Sequence, residues 1–238
     1  MKTYPAKVGP FREAVYYETQ DIEQICLDEL RATGLYPSKP EPIRIERFLE
    51  KRFQVTPAYE DLPDGVLGFT RFGAKGVEEI VISRSLSEEG TKTAERRIST
   101  TMAHEAGHGL LHAHLFALAA ETSSLYADGF DTSERKILCR NDAVPGGVSQ
   151  AVRRYDGRWW EVQANRAIGA LLLPKPLVEQ ALASVLGTPG FFGRRVLEAA
   201  RRQEAGRLLE ETFDMNPAVA KIRLQDLYPE ADEVQLTL

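Results

Sequence analysis

His104, Glu105 and His108 form the pattern H-E-x-x-H within "AHEAGHGLLHAHL", residues 103–115. The same stretch carries His112 and His114, so it holds all 4 histidines of the chain. On an α-helix, residues i and i+4 stand on one face, and His104 and His108 can present two imidazoles to one ion. Zn²⁺ accepts imidazole nitrogen and favours four ligands in a tetrahedron. Glu105 falls beside such an ion rather than on it, where a carboxylate can take a proton from a water activated by the metal. Two ligands and a general base are the parts needed for water attack on an amide carbonyl. The flanking Ile98, Met102, Leu110 and Leu111 predict that this helix is buried. Gly107 and Gly109 each cost about 1 kcal/mol in a helix interior. They make sense where another segment must approach closely.

Two groups compete to complete the site. His114 follows His108 by six residues, the spacing of the metzincin pattern H-E-x-x-H-x-x-G-x-x-H. That pattern turns at its glycine. Here Leu111 stands in its place, and "LLHAHLFALAA" reads as uninterrupted helix. On a straight helix His114 is rotated away from His108. The other candidate is Glu161 in "WWEVQANRAIGALLLP". It resembles the gluzincin arrangement, in which a glutamate on a second helix supplies the third ligand. Small residues at 164, 167, 169 and 170 allow that helix to pack closely. The competing reading of Glu161 is a surface carboxylate at a helix N-terminus, where the dipole favours it. Trp159 and Trp160 directly before it argue against full exposure.

Other residues carry weaker signals. His112 extends the face of His108 and reads as a packing or supporting residue behind the ligands. Asn165 can hydrogen-bond Glu161 or His104, or sit as a helix-surface amide. Cys139 in "KILCRND" reads as a small buried hydrophobe. The sharper alternatives are a thiolate that blocks the zinc, or a second site with His112 and His114. Arg153, Arg154 and Tyr155 are candidates to line a peptide groove or donate to an oxyanion, against the simpler reading of a solvated loop.

The elements that must position these groups follow from periodicity. Ile22, Ile25, Cys26 and Leu30 recur at helical spacing up to Gly34. "PEPIRIERFLEKRF" predicts a second short helix. "GVLGFTRFG" (65–73) and "GVEEIVISR" (76–84) read as strands of a small sheet. "SLSEEGTKT" reads as a loop, and a helix is expected from Ala94 to about Ala120. Residues 121–158 form a long connection rich in Gly, Ser, Asp and Thr, with one strand-like piece, "KILC". A connection of that length is usually functional or mobile. Helices are expected over 159–173, 175–186, 191–211 and 216–227, the last two with a helix–turn–helix rhythm around "FDMN".

The fold class is therefore α+β. A 1–20 tail precedes a 21–176 catalytic domain with its 121–158 insertion, and a helical module follows over 177–238. The 238 residues are 43% hydrophobic and 27% charged, an ordinary globular composition. The net charge of −5 argues against general nucleic-acid binding. Two cysteines far apart make no disulfide framework and suit a reducing cytosol. The N-terminus has no apolar signal segment, and no run approaches a membrane span, so a cytoplasmic protein is expected.

"ERRISTTMAHEAGHGLLH" followed by "WWEVQANRAIGALLLP" resembles the ImmA/IrrE family of zinc metallopeptidases. The resemblance lies in an A-H-E-x-G-H block and an E-x-x-A-N block, in that order, and covers about residues 20–176. Ile168 and Gly169 stand where family members often have Phe and Ala, and the 121–158 segment is longer than in short members. The resemblance implies a zincin-like fold, with a small sheet, an active-site helix and a second helix giving the third ligand. It implies one catalytic Zn²⁺ on His104, His108 and Glu161, with Glu105 as general base. It also implies a job: cleaving a partner protein, a helix-turn-helix repressor or antitoxin, and so releasing stress, phage or mobile-element genes. The alternative is a non-enzymatic regulator that keeps the zinc fold and binds a repressor or DNA through its C-terminal helices.

Overall fold

The computed structural model describes residues 2–5, 13–73, 75–115, 136–140, 158–187 and 195–230. In chain order these form β1 (Lys2–Pro5), β2 (Glu13–Tyr16), α1 (Thr19–Ala32), α2 (Ile45–Phe53), β3 (Ala58–Glu60), β4 (Val66–Gly73), β5 (Gly76–Ser83), α3 (Arg84–Glu88), α4 (Lys92–Leu111), β6 (Lys136–Arg140), α5 (Trp159–Leu172), α6 (Lys175–Ala181), α7 (Arg202–Phe213) and α8 (Pro217–Leu227). The class is α+β. No helix among the described residues is long and apolar enough to cross a membrane.

The main sheet has the order β3-β5-β4-β6. β4 and β5 are an antiparallel hairpin, β6 pairs antiparallel with β4, and β3 runs parallel to β5. The β-branched and aromatic run Phe69, Ile80, Val81, Ile82 lies inside, at most 4% exposed. α4 packs on β4 and β5, and α5 packs on α4. Ile22, Cys26 and Leu30 of α1, spaced by one helical turn, are at most 1% exposed and form the buried stripe of that helix.

Two glycines of α4 explain how closely it is surrounded. A methyl group at Gly107 would stand 2.8 Å from Cβ of Ala167 and 3.1 Å from Cα of Ala164, both on α5. A methyl group at Gly109 would stand 2.7 Å from the Phe53 ring and 2.9 Å from Val77. The helix tolerates the cost of both because each lets a neighbour reach its backbone. Thr91 caps the N-terminus of α4 by accepting from the Ala94 amide at 3.1 Å.

The structure departs from the sequence expectations at several points. The 1–20 segment, expected as a tail, contains the β1–β2 ribbon and the first residues of α1. Val15 and Tyr17 anchor the ribbon by burial, at 3% and 8% exposure. The expected loop "SLSEEGTKT" includes part of the short helix α3, and β3 was not anticipated. α4 ends at Leu111 rather than near Ala120, because His112 leaves helical geometry at φ −123°. The expected 175–186 helix stops at Ala181. In the expected 191–211 helix, the described residues 195–198 are not helical, and a 3₁₀ turn from Ala199 leads into α7.

α7 and α8 form a helical hairpin. Asp214 ends α7 in the left-handed conformation (φ 51°), and Asn216 caps α8 through the Ala218 amide at 2.9 Å. The hairpin is tied to the rest of the fold by charge. Arg223 of α8 is 2% exposed, makes two contacts with the Glu23 carboxylate on α1, and donates to the Leu173 carbonyl at 2.9 Å. Arg96 of α4 reaches Glu210 at 2.7 Å and Asp214 at 2.9 Å.

Candidate metal centre

The close crossing of α4 and α5 at Gly107 brings the first turn of α5 over the histidines of α4. Glu161 Oε2 lies 3.2 Å from His104 Nε2, and Oε1 lies 3.7 Å from His108 Nε2. The two Nε2 atoms are 3.0 Å apart. His104 and His108 are fully buried and Glu161 is 7% exposed. His104, His108 and Glu161 thus converge as a buried cluster that can hold a metal ion.

The surrounding hydrogen bonds decide what this cluster accepts. Val15 offers only a carbonyl, so Gln163 Nε2 donates to it, at 2.7 Å. Gln163 Oε1 must then accept from His112 Nε2–H, at 3.0 Å. His112 Nδ1 is left as an acceptor, and His108 Nδ1–H donates to it at 3.1 Å. Burial favours this neutral His112, pushing its pKa down to about 3. Asn165 Oδ1 lies 3.1 Å from His104 Nδ1 and accepts its proton. In their neutral forms both rings therefore present Nε2 lone pairs to the same point, beside the buried carboxylate of Glu161. Lone pairs converging in a buried pocket repel one another unless a cation lies between them. Two imidazoles and a carboxylate that leave a coordination position open are a fitting donor set for a catalytic transition metal.

Glu105 stands next to this cluster on α4, fully buried. Thr70 Oγ1 on β4 donates to its Oε2 at 2.5 Å, while Oε1 has no hydrogen-bond partner among the described residues. Burial pushes the Glu105 pKa up to about 7; the charge of a protonated His104 and the Thr70 hydroxyl act in the opposite direction. A carboxylate poised near neutrality is suited to accept and return a proton. Cys139 on β6 joins His104 and Glu105 in a second buried group of possible ligand atoms. Burial pushes its thiol up to about 11, which disfavours the thiolate.

The structure brings together His104, Glu105, His108, Glu161, His112 and Asn165. Asn165 serves His104, not Glu161. His112 supports His108 directly. His114 belongs to neither cluster of possible ligands among the described residues, although the helix breaks before it; its Nε2 is buried without a partner there. The second zinc site considered for Cys139, His112 and His114 is not formed among the described residues. Arg153, Arg154 and Tyr155 lie outside the described residues, as does most of 121–158. Sequence reasoning missed Thr70 and Gln163. Thr70 carried a signal, a hydroxyl in the middle of the apolar strand "VLGFTRFG"; Gln163 carried none. No family model matches the chain, and no curated protein matches it.

Proposed function

We propose that this protein is a zinc-dependent endopeptidase with a zincin-like fold, in which His104, His108 and Glu161 hold the metal and Glu105 is the general base. The observation that carries this reading is Glu105 itself. A site that only bound a metal for stability has no use for a second buried carboxyl, held by Thr70 at 2.5 Å and raised to about 7, directly beside the ligands. Zinc bound there would supply Lewis acidity to the attacking water and the scissile carbonyl.

The chain's own groups do the rest. Thr70 fixes the Glu105 carboxyl through Oε2 and leaves Oε1 to take the proton of the attacking water. The same oxygen then returns that proton to the departing amine, as a group with a pKa near neutrality can do in both directions. Asn165 and His112 hold the two imidazoles with their Nε2 lone pairs inward.

The two-block resemblance supports a protein substrate, a helix-turn-helix repressor or antitoxin, whose cleavage would release the genes it controls. The test is Glu105→Gln against wild type, each co-expressed with the small helix-turn-helix protein encoded nearest to it. Wild type should convert the partner to fragments of defined mass and Glu105→Gln should not. An intact partner with both proteins, or equal fragments with both, would overturn the reading; in the first case a non-enzymatic regulator is left.

A further inference from the structure

The hydrogen bonds behind His108 have a direction, and that direction starts outside the two helices. Val15 lies on β2, 148 positions before Gln163 in sequence. Its carbonyl can only accept. Every bond from it to His108 then has one allowed polarity, through Gln163 (3% exposed) and His112 (fully buried). Reversing any link would set two donors or two acceptors against each other in a water-free space, which costs about 1–3 kcal/mol per unsatisfied group.

We infer that Gln163 and His112 are positioning residues through which the N-terminal ribbon fixes the tautomer of His108, and that this fixed tautomer sets the metal affinity of the site. The inference rests on the reading of His108 as a ligand. An imidazole carries one proton in its neutral form, so a proton held on Nδ1 is a proton kept off Nε2. The site would be ready for a metal without first losing a proton from the coordinating nitrogen.

If the relay merely filled space, the side chains could be replaced by apolar groups of equal volume with little effect on the metal. The directional account predicts otherwise. In Gln163→Leu the His112 Nε2–H loses the Gln163 acceptor. Its proton is better placed on Nδ1, where it donates to His108 and drives the His108 proton onto Nε2. Gln163→Glu keeps the acceptor for His112 and, in the neutral acid form that burial favours, donates its own O–H to the Val15 carbonyl in place of the amide.

The experiment has two readouts on the full chain. Long-range ¹H–¹⁵N spectra of the chelator-treated protein read the tautomer of each imidazole, with only 4 histidines to assign. Competition with a chromophoric chelator reads zinc affinity. Wild type should show His108 protonated at Nδ1. Gln163→Leu should show the Nε2–H form and bind zinc about 10–100-fold more weakly. Gln163→Glu should resemble wild type in both. Should Gln163→Leu not fold, His112→Phe keeps a ring against Trp159 and removes the acceptor of His108; it should lose affinity in the same direction. An unchanged His108 tautomer or unchanged zinc affinity in Gln163→Leu, or a Gln163→Glu protein as impaired as Gln163→Leu, overturns the inference. A wild-type protein that binds no zinc overturns the metal-site reading instead, and the tautomer spectra still decide the relay.

Discussion

Thr70 and Glu105, 35 positions apart in sequence, meet at 2.5 Å where β4, an inner strand of the sheet, packs against the histidine-bearing helix α4. The hydroxyl donates to the ionised carboxylate more strongly than to the acid, so it holds the Glu105 pKa below what burial alone would impose. Removing it with Thr70→Val keeps the shape and loses the donor. The acidic limb of the cleavage-rate profile should move to higher pH, by about one unit, since a bond to a charged group is worth roughly 1.5–3 kcal/mol. Rate measured against pH checks this; a limb that does not move means Glu105 is not the group titrating there.

Glu105 also makes a prediction about stability in the absence of metal. Its folded pKa, about 7, stands above the ordinary carboxylate value of 4.5. The protonated form is therefore the one the fold prefers. Its stabilising contribution is fully present below 4.5 and is lost as pH rises through about 7. Glu105→Gln, which cannot ionise and still accepts from Thr70, should match wild type in acid. In chelator-treated protein near pH ~8 it should be more stable, by at most about 3 kcal/mol. Urea denaturation at the two pH values is the measurement, and equal stability at both would contradict the burial argument.

The ligand set separates Glu161 from His114. Glu161 faces both Nε2 atoms at 3.2 and 3.7 Å, while His114 joins neither ligand cluster. Glu161→Ala should lose bound zinc after dialysis, and His114→Ala should retain one equivalent. Metal content by atomic emission distinguishes them, and the opposite pattern would move the third ligand to the histidine stretch itself.

Gly107 is where α4 and α5 touch. Gly107→Ala places a carbon 2.8 Å from the Ala167 side chain and 3.1 Å from the Ala164 backbone, so the helices must part. The gain in helix propensity, about 1 kcal/mol, opposes an overpacking cost of about 1–3 kcal/mol. Net destabilisation should come with weaker zinc binding, because Glu161 rides on α5 and the histidines on α4. Thermal unfolding with and without zinc checks both, and a variant with unchanged zinc affinity would show that the crossing does not set the ligand spacing.

Much of this site was legible from residue order. The i, i+4 histidines, the adjacent glutamate and the small residues at 164 and 167 each have a local physical meaning, and the structure joins them as that meaning implies. The glycines at 107 and 109 were read as points of close approach, and each faces a different neighbour. What escaped was long-range or short. β1 and β3 are strands of 4 and 3 residues, too brief for an alternation to register. The end of α4 is set at His112, whose side chain is engaged with residues 51 positions away, and no local propensity announces it. Gln163 is a polar residue in an apolar helix, and its purpose exists only once Val15 is beside it.

Arg223 grips Glu23 of α1 and the Leu173 carbonyl just past the end of α5. α1 packs on α5, and α5 carries Glu161. A guanidinium on α8 is thus a clasp on the helix that carries Glu161. During synthesis the histidine helix leaves the ribosome with α5 and α8 still to come. The clasp closes only when α8 has emerged. The histidines and Glu161 are thus made well before the residue that braces them.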